Sequence, residues 1–271
     1  NLWEENPSML EGPVENYIYS LSNLINASIR AEKHEEAERV LEKFRALPEK
    51  FPDTISDNSR VFIFYSHSVH EISYNMMRHR LKELEGSISR ISSSMAEYEN
   101  NISMYQRIIL YYFLSTGNFM LEKFDQCVFW NSKIFNLEKS DLSEDYQCYA
   151  RIIQLISFYE LGYFDSLEYA LRSAYHFFSK RKKLYRFEKI IQQYLRRSFR
   201  LKSEKEFLAM LEEMKYEIDL LADDSYEKNA FDAFDIRPWI ISKLKGVSIH
   251  EAALTVQSET KLMQDAGKRK R

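Results

Sequence analysis

The absence of proline from a long internal stretch is the sequence feature that most restricts the fold. Residues 53–237 contain no proline, and the 271-residue chain has only six glycines. Tight turns and β-hairpins depend on these two residues for their backbone dihedral angles, so an all-β fold is nearly excluded. Long helices joined by short turns satisfy both restrictions.

Apolar residues recur at helical spacing along most of the chain. Ile18, Leu21, Ile25 and Ile29, for example, fall on one stripe of a helix. No window alternates apolar and polar residues for long enough to indicate a strand. The pattern predicts an all-α chain of antiparallel helix pairs with short connections. The predicted pairs are 14–31 with 35–47, 58–77 with 80–98, 102–117 with 120–137, 144–161 with 164–179, and 183–201 with 204–222.

Several predicted helix ends carry recognisable capping residues. Ser-x-x-Glu sequences predict capping boxes, in which the serine and glutamate side chains bind each other's backbone amides. Glycine is favoured in left-handed turns after a helix, and proline is favoured in the first turn of a helix. The capping boxes are Ser8–Glu11, Ser203–Glu206 and Ser248–Glu251, the turn glycines are Gly117 and Gly162, and Pro238 begins a helix to Lys245.

A repeat of 40–45 residues underlies the predicted pairs. The segment 124–129 aligns with 164–169 at an offset of 40, and further steps place the five second-helix starts at 34, 79, 124, 164 and 204. In such an array each hairpin exposes apolar residues on two sides, and its neighbours bury them. A compact helical bundle with accidental spacing is the alternative.

The packing positions of single units resemble those of the tetratricopeptide repeat family. They are Leu21, Leu24, Ile25, Ser28, Ala37, Leu41 and Phe44 in the first unit, and the turn 162–167 with Leu171 and Ala174 in the fourth. The period exceeds the family's 34 residues, the closing prolines are missing, and Cys127, Leu167 and Phe207 replace the usual small residue.

This resemblance implies a right-handed superhelical solenoid of about five antiparallel helix pairs. The array would span 14–222, and residues 223–264 would form a C-terminal capping pair of helices. Residues 1–13 are expected to be an N-terminal lead-in truncated from a longer chain, and 265–271 a basic tail.

The resemblance also implies the binding surface, because the first helix of each family repeat lines the concave groove. Matching positions give an aromatic middle with Tyr112, Phe119, Tyr149, Ile156, Tyr159 and Glu160, and a basic end with Lys189, Gln192, Arg196 and Arg200. Of these, Tyr112, Tyr149, Tyr159, Lys189, Gln192, Arg196 and Arg200 are the predicted partner-binding residues.

Charge is distributed unevenly toward the C-terminal end of the array. Residues 180–202 contain ten basic residues and one acid, whereas 203–227 contain nine acids and two lysines. Either the two helices neutralise each other through surface ion pairs, or part of the basic helix faces the groove and binds acidic groups. The sequence leaves both interpretations open.

No residue pattern indicates catalysis, a cofactor or a metal. His67 and His70 are three residues apart, whereas zinc helices use a spacing of four, so packed or surface histidines are the preferred interpretation. Cys127 and Cys148 are expected to be buried apolar thiols. Phosphate-binding, dinucleotide-binding and nucleophile-elbow motifs are missing.

The sequence therefore predicts a non-catalytic scaffold that binds a protein or peptide segment, which could be acidic, in its groove. The alternative is a nucleic-acid-binding helical repeat that uses the basic segment 180–202, which the net charge of −3 disfavours without excluding it. The longest internal apolar run, 108–114, is too short for membrane insertion. We expect a cytoplasmic location, with an upstream anchor or signal and a homo-oligomer left open.

Overall fold

The structure is a computed structural model that describes residues 14–137, 144–180, 185–198, 201, 203–222, 224 and 226–268. These residues form α-helices and short connections, with no strand among them. The predicted all-α fold built from neighbouring helix pairs is therefore confirmed. The predicted lead-in 1–13, with its Ser8–Glu11 capping box, lies outside the described residues.

The chain divides into two compact units, Asn1–Gly117 and Asn118–Arg271. The helices of the first are α1 (Val14–Arg30), α2 (His34–Arg45), α3 (Leu47–Lys50), α4 (Asp57–Met77) and α5 (Leu81–Tyr98), and α6 (Met104–Met120) contains the boundary. The second contains α7 (Phe124–Phe135), α8 (Glu144–Glu160), α9 (Phe164–Lys180), α10 (Arg186–Ser198), α11 (Glu204–Asp219), α12 (Lys228–Ala233), α13 (Arg237–Lys245) and α14 (Ile249–Lys268).

Helices α1 to α4 of the first unit share one apolar core. Helix α1 buries Tyr17, Ile18, Leu21 and Ile25 at the predicted spacing of three and four residues. These side chains belong to one cluster with Ala37, Leu41 and Phe44 of α2 and Ile63 of α4. Burial of the apolar stripe is what makes these helices stable, since isolated helices of this length are marginal in water.

Four helix-to-helix connections share one backbone geometry. Each has a residue in the left-handed conformation two positions before the next helix: Glu32, His79, Glu122 and Gly162, with φ of 54–70°. The amide of the following residue donates to the carbonyl five positions back, as in Lys33 to Ser28 and Tyr163 to Phe158. This is the Schellman motif, which satisfies carbonyls at a helix end and reverses the chain. Second helices begin at 34, 81, 124, 164 and 204, within two residues of the predicted starts.

The two glycines predicted in turns have different roles. Gly162 lies in a left-handed turn, as predicted. The prediction for Gly117 was wrong, because α6 continues through it to Met120 and Glu122 takes the turn position. A Cβ at Gly117 would lie 2.8 Å from Cδ1 of Ile88, so this glycine permits close helix packing.

The C-terminal region of the second unit contains the predicted helix pair. Helix α13 ends at Gly246 in the left-handed conformation, and the Ser248–Glu251 capping box is formed in both directions. The amide of Glu206 binds Ser203 Oγ at the start of α11. The last helix reaches Lys268, beyond the predicted end at 264, and the short helix α12 was not predicted. In the described part of the chain, no helix has the length and apolar character that crossing a membrane requires.

Candidate functional site: a basic groove between α9 and α10

A groove of about 420 Å³ lies between helices α9 and α10 of the second unit. One wall carries apolar and aromatic side chains from α9, and the other carries polar and basic side chains from α10. The lining residues are Leu171, Tyr175, Phe178 and Ser179 on α9, and Lys189, Gln192, Gln193 and Arg196 on α10.

The amphipathic sequence of α10 determines which side chains face this groove. Phe187, Ile190, Ile191, Tyr194 and Leu195 are buried, which fixes the rotation of the helix. Lys189 and Arg196 fall on the opposite, exposed side and are separated by seven residues, or two helical turns. Both cations therefore lie along the same line of the groove wall.

The two groove cations lack a counter-charge in the part of the chain that the structure describes. Among the residues that the structure describes, neither Lys189 nor Arg196 forms an ion pair with a carboxylate. The guanidinium of Arg196 instead lies 5.4 Å from the ring centroid of Tyr175, which is 57% exposed. This cation–π contact holds the arginine at the groove surface and leaves its N–H donors available.

Arg197, the next residue, behaves differently. Its guanidinium forms an ion pair of 2.7 Å with Glu213 of α11, and this hydrogen bond raises the pKa of Arg197. The described part of the basic segment thus has two different faces. Arg197 on one face is neutralised by the acidic helix α11, whereas Lys189 and Arg196 on the groove face form no ion pair with a described residue.

Gln192 contributes a second unusual feature, at a position between the two cations. It lines the groove, and its Nε2 atom is buried with no hydrogen-bond partner among the described residues. A desolvated donor without an acceptor costs about 1–3 kcal/mol, so rotation of this side chain toward a ligand carbonyl in the groove would relieve that cost.

Buried carboxylates fix the N-terminal end of α10. Glu227 accepts hydrogen bonds from the backbone amides of Arg186 and Phe187, at 2.9 and 3.1 Å. Glu188 accepts from the Tyr185 amide and, at 2.9 Å, from Sγ of Cys148. These carboxylates satisfy otherwise unpaired amides at the positive end of the helix and position the groove wall. Both cysteines are buried thiols outside any disulfide, as expected, although Cys148 has a carboxylate neighbour rather than a wholly apolar one.

Tyr194 fixes α10 further along by its contact with α11. Its hydroxyl donates to Glu217 at 2.6 Å. Desolvation and this hydrogen bond raise the pKa of Tyr194 to about 12. The buried side of α10 is therefore tied to α11, while its opposite side lines the groove.

The predicted binding residues separate into two groups in the structure. Lys189, Gln192 and Arg196 come together in the groove. Tyr112 and Tyr149 are 3% and 2% exposed and belong to the core. Arg200 lies outside the described residues. The binding wall on α9 was not predicted, because the family resemblance places groove residues on first helices and α9 is the second helix of its pair.

The remaining predicted aromatic positions of the second unit are covered by its own C-terminal region. The ring centroid of Tyr159 lies 5.0 Å from that of Phe207, on which it stacks, and 6.2 Å from that of Trp239, which it contacts edge-on. Burial raises the pKa of Tyr159 to about 12. Glu160 accepts from Trp239 Nε1 at 2.6 Å and from Lys243 Nζ at 2.5 Å. The ring of Phe119 lies 5.3 Å from that of Phe234. The expectation that Phe119, Tyr159 and Glu160 form an open wall is corrected by these contacts.

A second groove, of about 370 Å³ in the first unit, has its charges largely paired internally. Glu38 binds the Tyr74 hydroxyl at 2.8 Å and Arg80 at 2.6 Å, while Glu71 binds Arg90 at 2.6 Å. The groove between α9 and α10 is therefore the better candidate for an external ligand.

The two histidines of α4 have partners within the protein. Nδ1 of His67 lies 3.5 Å from Glu71, and Nε2 of His70 lies 3.2 Å from the Ser22 hydroxyl. Burial lowers the pKa of each to about 4. The described residues contain no group of three metal-ligating side chains.

Comparisons with known proteins give no match: no family model fits the sequence, and neither a curated protein nor a solved structure matches it.

Proposed function

We propose that this protein is a non-catalytic interaction scaffold that binds an acidic peptide or protein segment in the groove between α9 and α10. The observation that carries the proposal is that the cations Lys189 and Arg196, beside the exposed ring of Tyr175, form no ion pair with any described residue. Unpaired cations at a groove create a local positive potential that attracts carboxylates.

The chemistry of the groove suits a peptide. Arginine and tyrosine provide large contact areas with directed hydrogen bonds and often supply most of the energy of an interface. Charge-assisted hydrogen bonds from Lys189 and Arg196 would orient carboxylates. The apolar atoms of Leu171 and Phe178 would contact a neighbouring aliphatic side chain.

Selection from a random-peptide phage library tests this proposal. We expect the immobilised protein to enrich peptides rich in Asp and Glu, and we expect the double variant Lys189→Glu/Arg196→Glu to lose this enrichment. The matched control is Lys205→Glu/Lys245→Glu, which reverses two exposed charges outside the groove and should retain it. Enrichment without acidic residues, or enrichment that survives the groove variant, would contradict the proposal.

We also propose that the helix pairs form a tetratricopeptide-like repeat array with the right-handed superhelical path of that family. The repeated Schellman connection supports this proposal. A buried residue also recurs five positions after each left-handed residue: Ala37, Leu84, Cys127 and Leu167, each 0% exposed. A recurrent connection followed by a recurrent buried position is typical of repeat proteins.

We propose the cytoplasm as the location of this protein.

Nucleic-acid binding by the basic segment 180–202 is the second candidate function. A gel-shift titration with single- and double-stranded oligonucleotides at low and moderate salt separates the two functions. Binding to phosphates would weaken steeply as salt increases, because counterions are released. Retention of an oligonucleotide at low salt, lost in the Lys189→Glu/Arg196→Glu variant, would favour this candidate over the peptide.

A further inference from the structure

We infer that the groove recognises two acidic side chains three residues apart on a segment in the polyproline II conformation. This inference rests on the proposed function and narrows it from acidic peptides in general to one spacing and one backbone conformation.

The separation of the two cations sets the spacing. Lys189 and Arg196 are seven residues apart on α10, which at 1.5 Å per residue is about 10.5 Å along the helix axis. A polyproline II segment has three residues per turn and rises about 3.1 Å per residue. Residues i and i+3 of such a segment therefore point the same way, about 9.3 Å apart.

Other backbone conformations fit this separation less well. In a β-strand, same-side residues are i and i+2 or i and i+4, about 6.7 or 13 Å apart, on either side of the required distance. A helical ligand would match the separation of the two cations if its acidic residues were at i and i+7. However, a helix offers a groove only its side chains, whereas a polyproline II segment can also place backbone carbonyls against the polar side chains of Lys189, Gln192 and Gln193.

The centre of the groove also matches a polyproline II backbone. Such a segment has no internal hydrogen bonds, so its carbonyls need external donors. The Nε2 atom of Gln192, on the residue between the two cations, is buried with no partner among the described residues, and it can supply one when the side chain turns toward the ligand. Aromatic surfaces accommodate the rings and aliphatic side chains of polyproline II ligands, and Tyr175 provides an exposed one.

Fluorescence polarisation with isomeric peptides tests the inference. The probes are fluorescein-labelled nine-residue peptides of identical composition, containing Pro, Gly and two Glu, with the Glu residues at i,i+2, at i,i+3 or at i,i+4. A fourth peptide keeps the i,i+3 spacing and replaces proline with serine. We expect the i,i+3 proline peptide to bind at least fivefold more tightly than its isomers, and more tightly than the serine peptide because its backbone is preorganised.

Variants of the groove residues test which side chains determine the preferred spacing of the two peptide glutamates. Lys189→Gln and Arg196→Gln should each abolish the preference for the i,i+3 peptide. Gln192→Ala should lower the affinity for the i,i+3 proline peptide. The controls Lys205→Gln and Lys245→Gln should change nothing. In Arg196→Glu, replacing one of the two peptide glutamates with lysine should restore binding, and replacing the other should not, because each carboxylate faces one cation.

The outcomes separate this inference from the proposed function. Equal affinity for all acidic isomers would overturn the spacing and leave acidic-peptide binding intact. Tighter binding of the serine peptide than the proline peptide would overturn the polyproline II conformation. If no acidic peptide binds here and the phage selection yields none, both proposals fail.

Discussion

At the scale of single residues, the helical glycines Gly86 and Gly117 have opposite surroundings. Gly86 lies in α5 with no atom within 4 Å of the position where a Cβ would be. The corresponding position at Gly117 of α6 is 2.8 Å from Ile88 Cδ1 and 3.4 Å from Ile72 Cγ2. A methyl group at Gly86 is therefore free of contact, and one at Gly117 enters a filled core.

Alanine at the two sites should consequently have opposite effects on stability. We expect Gly86→Ala to raise the free energy of unfolding by up to about 1 kcal/mol, since alanine favours helix over glycine by that amount. We expect Gly117→Ala to lower it by about 1 kcal/mol, since overpacking costs about 1–3 kcal/mol and outweighs the gain in helix propensity. Urea denaturation of both variants measures the difference.

The variant Ile88→Val removes the Cδ1 atom that a Cβ at Gly117 would meet, and so provides the control. In the double variant Gly117→Ala/Ile88→Val, the two changes should destabilise the protein by less than the sum of their separate effects. Strict additivity would show that the cost at Gly117 has another origin.

At the scale of elements, the repeated connection explains how the chain makes hairpins with few glycines. Three of the four connections place Glu32, His79 or Glu122 in the left-handed conformation, which costs a non-glycine residue about 1–2 kcal/mol. The paired hydrogen bonds of the Schellman motif and the buried faces of both helices offset this cost. Glycine content therefore underestimates the number of such turns in this chain.

A glycine at Glu32 should relieve this strain. We expect Glu32→Gly to raise the free energy of unfolding by about 0.5–1 kcal/mol, because relief of the left-handed strain exceeds the added entropy of the unfolded chain. Glu42→Gly, which replaces an exposed glutamate within α2, is the matched control and should lower it by about 1 kcal/mol. A loss of stability in both variants, measured by thermal or urea unfolding, would contradict this account of the turn.

At the scale of the whole molecule, local signals predicted the fold well. Periodicity and capping residues placed most helix ends within a few residues, because burial of a stripe and satisfaction of terminal amides are local requirements. The groove was predicted only in part, because it depends on the packing of α9 against α10, which belong to successive helix pairs. The covering of Tyr159 and Glu160 depends on Trp239 and Lys243, about 80 residues away in sequence, which no local pattern indicates.

The proposed repeat array makes a prediction at this scale for scattering in solution. A compact domain of this length has a radius of gyration of about 18 Å. If the hairpins stack along one direction, as proposed, small-angle X-ray scattering should give a value clearly above about 18 Å for the monomer. A value near 18 Å, from a sample shown to be monomeric, would favour the compact bundle.

The carboxylate of Glu160 has a practical consequence for anyone shortening this chain. Its side chain is only 10% exposed, and its indole and ammonium donors both come from α13. Cleavage ahead of that helix would remove both donors of this carboxylate and expose the ring of Tyr159, and exposed apolar surface promotes aggregation of the product. Boundaries for expression or fusion are therefore best chosen beyond Val256, where the C-terminal hairpin is complete.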